Sequence, residues 1–356
     1  MRMVEVVLMI ALALILSAVG TGMVRRLALS YGVLDIPNER SSHTSATPRG
    51  GGASIVLVVT LGLLVLLVLG RVHLSLALTL IVGGIAVAGI GFLDDRRSVR
   101  AGVRLAVHLS AALWATESLG GLPSVLLGDH LLHPGWWGHV LAVLGIVWVL
   151  NLFNFMDGID GIAGAEAVFV LVCAGVFGVL TMGSVEISTV ALLAGAASMG
   201  FLVWNWPPAR IFMGDIGSGY LGYVIGVLAL AATVENPAAV WVWLILGGSF
   251  FVDATVTLIR RLLRGERTYE AHRTHAYQWL ARRWRSHKKV TLAVLAINVL
   301  WLLPCAWVGT VRPNLAGWML LVALSPLVVV ALLAGAGRRE SGADSPGTLD
   351  GSPKLL

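Results

Sequence analysis

Residues 74–95 read LSLALTLIVGGIAVAGIGFLDD, a run of twenty uncharged residues closed by two aspartates. A helix rises about 1.5 Å per residue, so such a run spans about 30 Å, the thickness of the hydrocarbon core of a bilayer. The pattern recurs along the chain. Further apolar runs lie near 4–24, 51–70, 103–118, 139–155, 162–182, 187–205, 218–234, 238–259, 290–309 and 315–335. Together they predict an all-α, polytopic membrane protein with about eleven transmembrane helices.

Composition supports this reading. The chain is 57% hydrophobic and 12% charged, with a mean hydropathy of +0.87, whereas soluble domains carry about a quarter charged residues. A net charge of +6 raises the question of nucleic acid, but the basic residues sit in short gaps between apolar runs. That placement fits membrane topology and predicts contact with lipids, not nucleic acid. Cys173 and Cys305 lie inside apolar runs, outside any disulfide or metal-ligand spacing. The 4–24 run exceeds the roughly 7–15 apolar residues of a secretory leader. Arg25 and Arg26 close it, so it is read as a retained first span.

An outside amino terminus puts 22 of the 25 Lys and Arg in the cytoplasm, leaving Arg2, Arg71 and Arg312 outside. The positive-inside rule therefore predicts an outside N-terminus and a cytoplasmic C-terminus. Residues 1–336 form one integral-membrane domain, and the Gly-, Ser-, Pro- and Asp-rich 337–356 reads as a disordered tail.

This orientation, set by Lys and Arg alone, also gathers Asp94, Asp95, Asp157, Asp160 and Asp215 at cytoplasmic helix ends. Carboxylates are costly inside a bilayer, so five at one face suggest a shared site. In Asn151-Leu-Phe-Asn154-Phe-Met-Asp157-Gly-Ile-Asp160-Gly161 the polar residues recur every third position, on one helical arc. Amide and carboxylate oxygens together suit a hard divalent cation such as Mg²⁺; the plainer reading is helix capping. In Arg210-Ile-Phe212-Met-Gly214-Asp215-Ile-Gly217-Ser218-Gly219, glycines allow backbone N–H groups near an anion at the start of the next span. Asp215 there can hold a metal, and Phe212 can stack on a base. Arg104 and His108, four apart, face back toward Asp94-Asp95 and offer cationic partners for a lipid phosphate. The basic segment 260–289 carries His272, Arg273 and His275 as candidate ligands or phosphate donors, and Thr47-Pro-Arg49-Gly50-Gly51-Gly52 forms another polar loop.

In family order, D-x-P-N-x-R, T-P-x-G-G, D-D, N-x-x-N-x-x-D-G-x-D-G, F-M-G-D-x-G-S and a late His loop resemble the polyprenyl-phosphate N-acetylhexosamine-1-phosphate transferases, glycosyltransferase family 4. The resemblance implies that Asn154 and Asp215 hold Mg²⁺, with Mn²⁺ as a possible substitute. It implies that Asp157, Asp160 and Phe212 meet the uridine, and that Asp94 and Asp95 are catalytic, handling the lipid phosphate. Asn151, Arg49, Gly214, His272, Arg273 and His275 would bind the donor or its phosphates, and Arg104 and His108 the lipid phosphate. His272-Arg-Thr-His-Ala-Tyr-Gln278 departs from the His-rich loops of the peptidoglycan branch and looks like the branch that initiates O-antigen.

The expected reaction moves N-acetylhexosamine-1-phosphate from a UDP-N-acetylhexosamine to undecaprenyl phosphate, releasing UMP and initiating an O-antigen or other envelope polysaccharide; a homodimer is left open. Two rivals are a CDP-alcohol phosphotransferase and a transporter. The first needs D-G-x-x-A-R where this chain has Asp157-Gly-Ile-Asp160-Gly161-Ile. The second places its site at mid-bilayer between repeats, and no repeat is evident.

Overall fold

A computed structural model describes residues 3–36, 46–181, 183–266 and 273–339. Helix α1 (Met3–Ser30) leads into a short antiparallel pair, β1 (Leu34–Asp35) and β2 (Thr47–Pro48), and then α2 (Ala53–Val68). Helix α3 (Leu74–Leu78) passes through a π turn at Thr79–Gly83 into α4 (Gly84–Arg96), followed by α5 (Ala101–Leu119). A hairpin of β3 (Val125–Leu127) and β4 (His130–Leu132) precedes α6 (Trp137–Met156), α7 (Ile162–Leu180), α8 (Val185–Asn205) and α9 (Asp215–Glu235). Helix α10 (Ala239–Leu246) bends by 77° into α11 (Gly248–Leu263). Helices α12 (Ala276–Trp284) and α13 (His287–Ile297) follow. A second π turn at Asn298–Leu302 leads from α13 into α14 (Leu303–Val311), and α15 (Ala316–Leu333) is the last helix described.

Among the described residues, eight helical segments are long and apolar enough to cross a membrane, or nine if the bent pair counts as one span. The chain is a multi-pass membrane protein. Each of the eleven expected runs is helical, but two fall short of a standard span. Helix α2 has only 16 residues, and α5 carries Arg104, His108 and Glu117 along its length. Helix α1 also runs past its expected stop at Arg25-Arg26 to Ser30. The arginines do not end it because Arg25 turns its guanidinium onto the Arg210 carbonyl, 3.1 Å away, and over the Trp204 ring.

Helix α9 is the axis of the bundle. In its most apolar stretch 89% of the residues are buried inside the protein, against 17% for α1. It packs on both α4 and α6. The approach of α4 depends on Gly91, where a Cβ would collide with the Asp215 carbonyl at the first turn of α9. Where the breaks in two helices meet α7, the buried Glu166 accepts from Asn298 Nδ2 at 2.6 Å and from Ser249 Oγ at 3.2 Å. The carboxyl group thereby ties α7 to the bend before α11 and to the π turn. Past α15, Gly337 N–H donates to the Thr274 carbonyl at 2.7 Å and Arg260 reaches the Ala336 carbonyl at 2.6 Å. The expected tail from 337 therefore starts pinned to the bundle, and 340–356 lie outside the described residues.

Candidate active site

Four chain segments meet at one end of the bundle: Thr47–Gly52, the last turn of α4, the α6–α7 turn and the α8–α9 segment. The backbone stitches the first to the last. Phe212 N–H donates to the Pro48 carbonyl at 2.8 Å, while Gly51 and Gly52 N–H donate to the Phe212 and Met213 carbonyls, each at 2.9 Å. Asn205, the last residue of α8, ties the α6–α7 turn to the α8–α9 segment. Its Oδ1 accepts from Gly161 N–H at 3.0 Å and its Nδ2 donates to the Ile211 carbonyl at 2.9 Å. Asp160 adds a further tie, accepting from Ala209 N–H at 3.0 Å through one oxygen and facing His287 Nδ1 at 3.2 Å through the other.

The first turn of α9 was expected to offer its N–H groups to an anion of the substrate. The protein supplies that anion itself. Asp95, from α4, accepts from the N–H groups of Asp215 at 2.9 Å and Ile216 at 3.2 Å, a charge-assisted cap at the positive end of the helix. Gly214 makes this possible: its φ is +76°, and a Cβ would stand 2.5 Å from Asp95 Oδ2. With a side chain only 5% exposed, Asp95 also accepts from Arg49 Nε at 2.8 Å. These three donors tie Asp95 to the first turn of α9 and to Arg49.

Around this cap the charges interlock. Arg49 extends its second arm to Asp215 Oδ1 at 2.9 Å. Arg104 pairs with Asp94 and lies 3.5 Å from Asp215 Oδ2. Asp94 also accepts from Val99 N–H at 2.7 Å.

Two cavities open at this cluster. One, of about 140 Å³, is polar and lined by Asp35, Arg49, Asp157, Asp160 and Phe212 among others. The second is an apolar groove of about 640 Å³ running between α4, α5 and α6, with Arg104, His108 and Asn151 on its walls. Asn154 and Asp215 belong to both linings. Asn154 Nδ2 donates to Ser218 Oγ at 3.2 Å, which leaves its amide oxygen for the shared wall. Asp157 is enclosed in the polar cavity. Burial, then the neighbouring Asp215, push its carboxyl well above the usual carboxylate range, against the opposing pull of Arg49.

The sequence-predicted residues thus divide. Asp94, Asp95, Arg49, Arg104, Asn154, Asp157, Asp160, Phe212, Gly214 and Asp215 come together at this end of the bundle. Asn151 and His108 lie instead in the groove wall, where Asn151 Nδ2 donates to the Val147 carbonyl at 2.8 Å. His275 lies apart from both cavities. It is 2% exposed, N-caps α12 and lies 3.5 Å from Asp253 beneath Tyr277. Arg273 lines neither cavity, its carbonyl accepting from Arg282, and His272 lies outside the described residues.

Sequence reading passed over three positioning residues. These are Asn205, His287 and Asp253, which caps α12 through the N–H groups of Ala276 and Tyr277. From α12, Tyr277 O–H donates to the Phe155 carbonyl at 3.0 Å and so braces the turn that carries Asp157. A carboxylate inside the apolar run 238–259 was the one available signal for Asp253. Asn205 and His287 gave none.

Among the described residues no three His, Cys, Asp or Glu side chains are grouped to close a metal site. Asp215 and Asn154 nevertheless present hard oxygen donors on one wall of a small polar cavity. Such a partial set fits Mg²⁺, which keeps waters and takes phosphate oxygens to complete its shell.

The profile of glycosyl transferase family 4 matches residues 77–233. Over 304 residues the chain is 29% identical to a Bacillus subtilis protein named "Probable undecaprenyl-phosphate N-acetylglucosaminyl 1-phosphate transferase", covering 83% of each chain. Over 256 residues it is 30% identical to a phospho-N-acetylmuramoyl-pentapeptide-transferase of Moorella thermoacetica, covering 65% of this chain and 75% of that one. This chain belongs to glycosyl transferase family 4. A decaprenyl-phosphate N-acetylglucosaminephosphotransferase of Mycolicibacterium smegmatis, 26% identical over 382 residues, matches 94% of this family 4 chain and 89% of its own length. The family 4 profile takes in the aspartates from Asp94 to Asp215, while Arg49, Asp253 and His287 lie outside the matched segment.

Proposed function

We propose that this chain transfers N-acetylhexosamine-1-phosphate from a UDP-sugar to undecaprenyl phosphate, releasing UMP and leaving a lipid-pyrophosphate sugar. The carrying observation is that a polar cavity and an apolar groove share Asn154 and Asp215. A reaction that joins a nucleotide sugar to a long lipid needs one site of each character with a common wall. The names of the relatives, each a polyprenyl-phosphate or sugar-phosphate transferase, support the same reading. We assign the product to O-antigen or another envelope polysaccharide, and the site to the cytoplasmic face of the bacterial inner membrane, on the positive-inside count.

In this reading a non-bridging oxygen of the lipid phosphate attacks the β-phosphorus of the donor. The bond from that phosphorus to the bridging oxygen breaks, and UMP leaves with the electron pair. The lipid phosphate is already a nucleophile near neutral pH, so no protein base is required and no phospho-aspartate is formed. What the chain must supply is relief of repulsion between two anions. Arg104, aimed by Asp94 at the mouth of the groove, meets the acceptor phosphate, and Arg49 meets the donor diphosphate. Phe212 and Asp157 line the uridine side. Asp215 and Asn154 are the groups that would hold Mg²⁺, with Mn²⁺ as substitute, and the ion would add charge neutralisation there.

The test is UMP release from UDP-N-acetylhexosamine by the protein in nanodiscs, with and without undecaprenyl phosphate. Release should require the lipid, and Asp215→Asn should lower it by about 10²–10³-fold while the protein still inserts. Normal turnover by Asp215→Asn would remove the role given to that residue. Trials with UDP-GlcNAc, UDP-FucNAc and UDP-QuiNAc would identify the donor.

A further inference from the structure

Arg49 stands at the centre of the acidic cluster. Its Nε meets Asp95 at 2.8 Å and its Nη2 meets Asp215 Oδ1 at 2.9 Å, and Asp35 and Asp157 add to the negative field around it. The oxygen it occupies belongs to the same carboxylate that faces both cavities. Arg104 stands 3.5 Å from the other oxygen. A divalent cation and a guanidinium cannot share one carboxylate oxygen without placing like charges a few ångströms apart in a poorly solvated pocket. One of them must give way.

Arg49 is able to move. Its side chain is one-third exposed and lines the 140 Å³ polar cavity. The next residue, Gly50, has a φ of +94° with open space where a Cβ would be. A diphosphate entering that cavity offers a guanidinium two-pronged hydrogen bonds at least as strong as those it makes to the carboxylates.

We infer that Arg49 is a tethered cation that competes with the divalent metal for Asp215 and is drawn off it by the donor diphosphate. Metal and donor then bind cooperatively, and the protein by itself holds metal weakly. The inference rests on the metal role proposed for Asp215 and concerns a different residue, so the two can fail separately. No bond is made or broken in this exchange; one cation replaces another on a carboxylate.

The experiment measures Mn²⁺ binding by electron paramagnetic resonance to the full chain in nanodiscs, with no nucleotide present. Arg49→Gln should bind Mn²⁺ about tenfold or more tightly than the unaltered protein. Arg49→Lys, whose compact ammonium meets one carboxylate at a time, should fall between them, and it preserves the charge if Arg49→Gln fails to fold. Asp215→Asn should bind weakly with or without the Arg49 change. If the Arg49→Gln, Asp215→Asn double variant binds Mn²⁺ as tightly as Arg49→Gln alone, the metal role of Asp215 falls, and this inference with it. If binding depends on Asp215 but neither Arg49 variant tightens it, the competition alone is overturned.

Discussion

Asp157 is held where its charge is unwelcome. Its carboxyl titrates well above the ordinary 3.8 because it is buried and faces Asp215. The folded protein therefore keeps this proton to a higher pH than the unfolded chain does. Ionising the group works against the fold as the pH climbs from about 4 through the raised value. Asp157→Asn removes that penalty. Without metal or nucleotide, the variant and the unaltered protein should melt together near pH 4. The variant should melt higher by a margin that widens toward neutral pH, while losing most of its UMP release. A margin that shrinks with pH, in melting curves followed by tryptophan fluorescence, would contradict the cause assigned to the shift. Stability is surrendered here for a site that wants a cation or a base nearby. The aspartates and Asn154 could be read from the sequence because each interrupts or ends an apolar run. What each one grips could not. Asp95 lies 120 positions from the N–H groups it caps, and nothing local distinguishes a cap from a base.

At the scale of the elements, the site depends on how closely α4 can approach the first turn of α9. Gly91 sets that distance, since any Cβ there meets the Asp215 carbonyl, a backbone atom with no easy retreat. Gly91→Ala should therefore displace Asp215 from Asn154 and Arg49. We expect at least a tenfold fall in UMP release together with a loss of about 1–3 kcal/mol of stability, read from thermal unfolding. Full activity in Gly91→Ala would mean that the helix ends tolerate a wider gap than their packing suggests. The existence of the helices was legible, since long uncharged runs leave few alternatives. Their interruptions were not. The π turns at Thr79–Gly83 and Asn298–Leu302 and the 77° bend after Leu246 fall inside unbroken apolar sequence. They depend on tertiary partners such as the Glu166, Ser249 and Asn298 cluster. Arg25-Arg26 looked like a stop and was not one, because a distant carbonyl and an indole ring accept the Arg25 guanidinium.

For the molecule as a whole, the order of contacts constrains the path of the chain. Helices α4 and α6 both finish at the site, so α5 between them runs away from it, despite Arg104 and His108. The hairpin that follows lies at the far end of α9, where Leu126 N–H donates to the Pro237 carbonyl at 3.0 Å. With Cys173 and Cys305 replaced by alanine, His130→Cys and Ser98→Cys should lie on opposite sides of the membrane. An impermeant maleimide should label the first in intact cells and the second only after permeabilisation. The reverse pattern would move the site to the outer face and undo the orientation drawn from Lys and Arg. Finally, Asp215 is carried by α9, the most enclosed of the candidate spans, while the least enclosed are α1 and the spans His287–Val311 and Pro313–Leu333 at the rim. A bilayer that thickens or thins can tilt the rim while the first turn of the central helix stays in place. Such a design would let the enzyme keep its pace as the acyl chains around it change with temperature or growth phase.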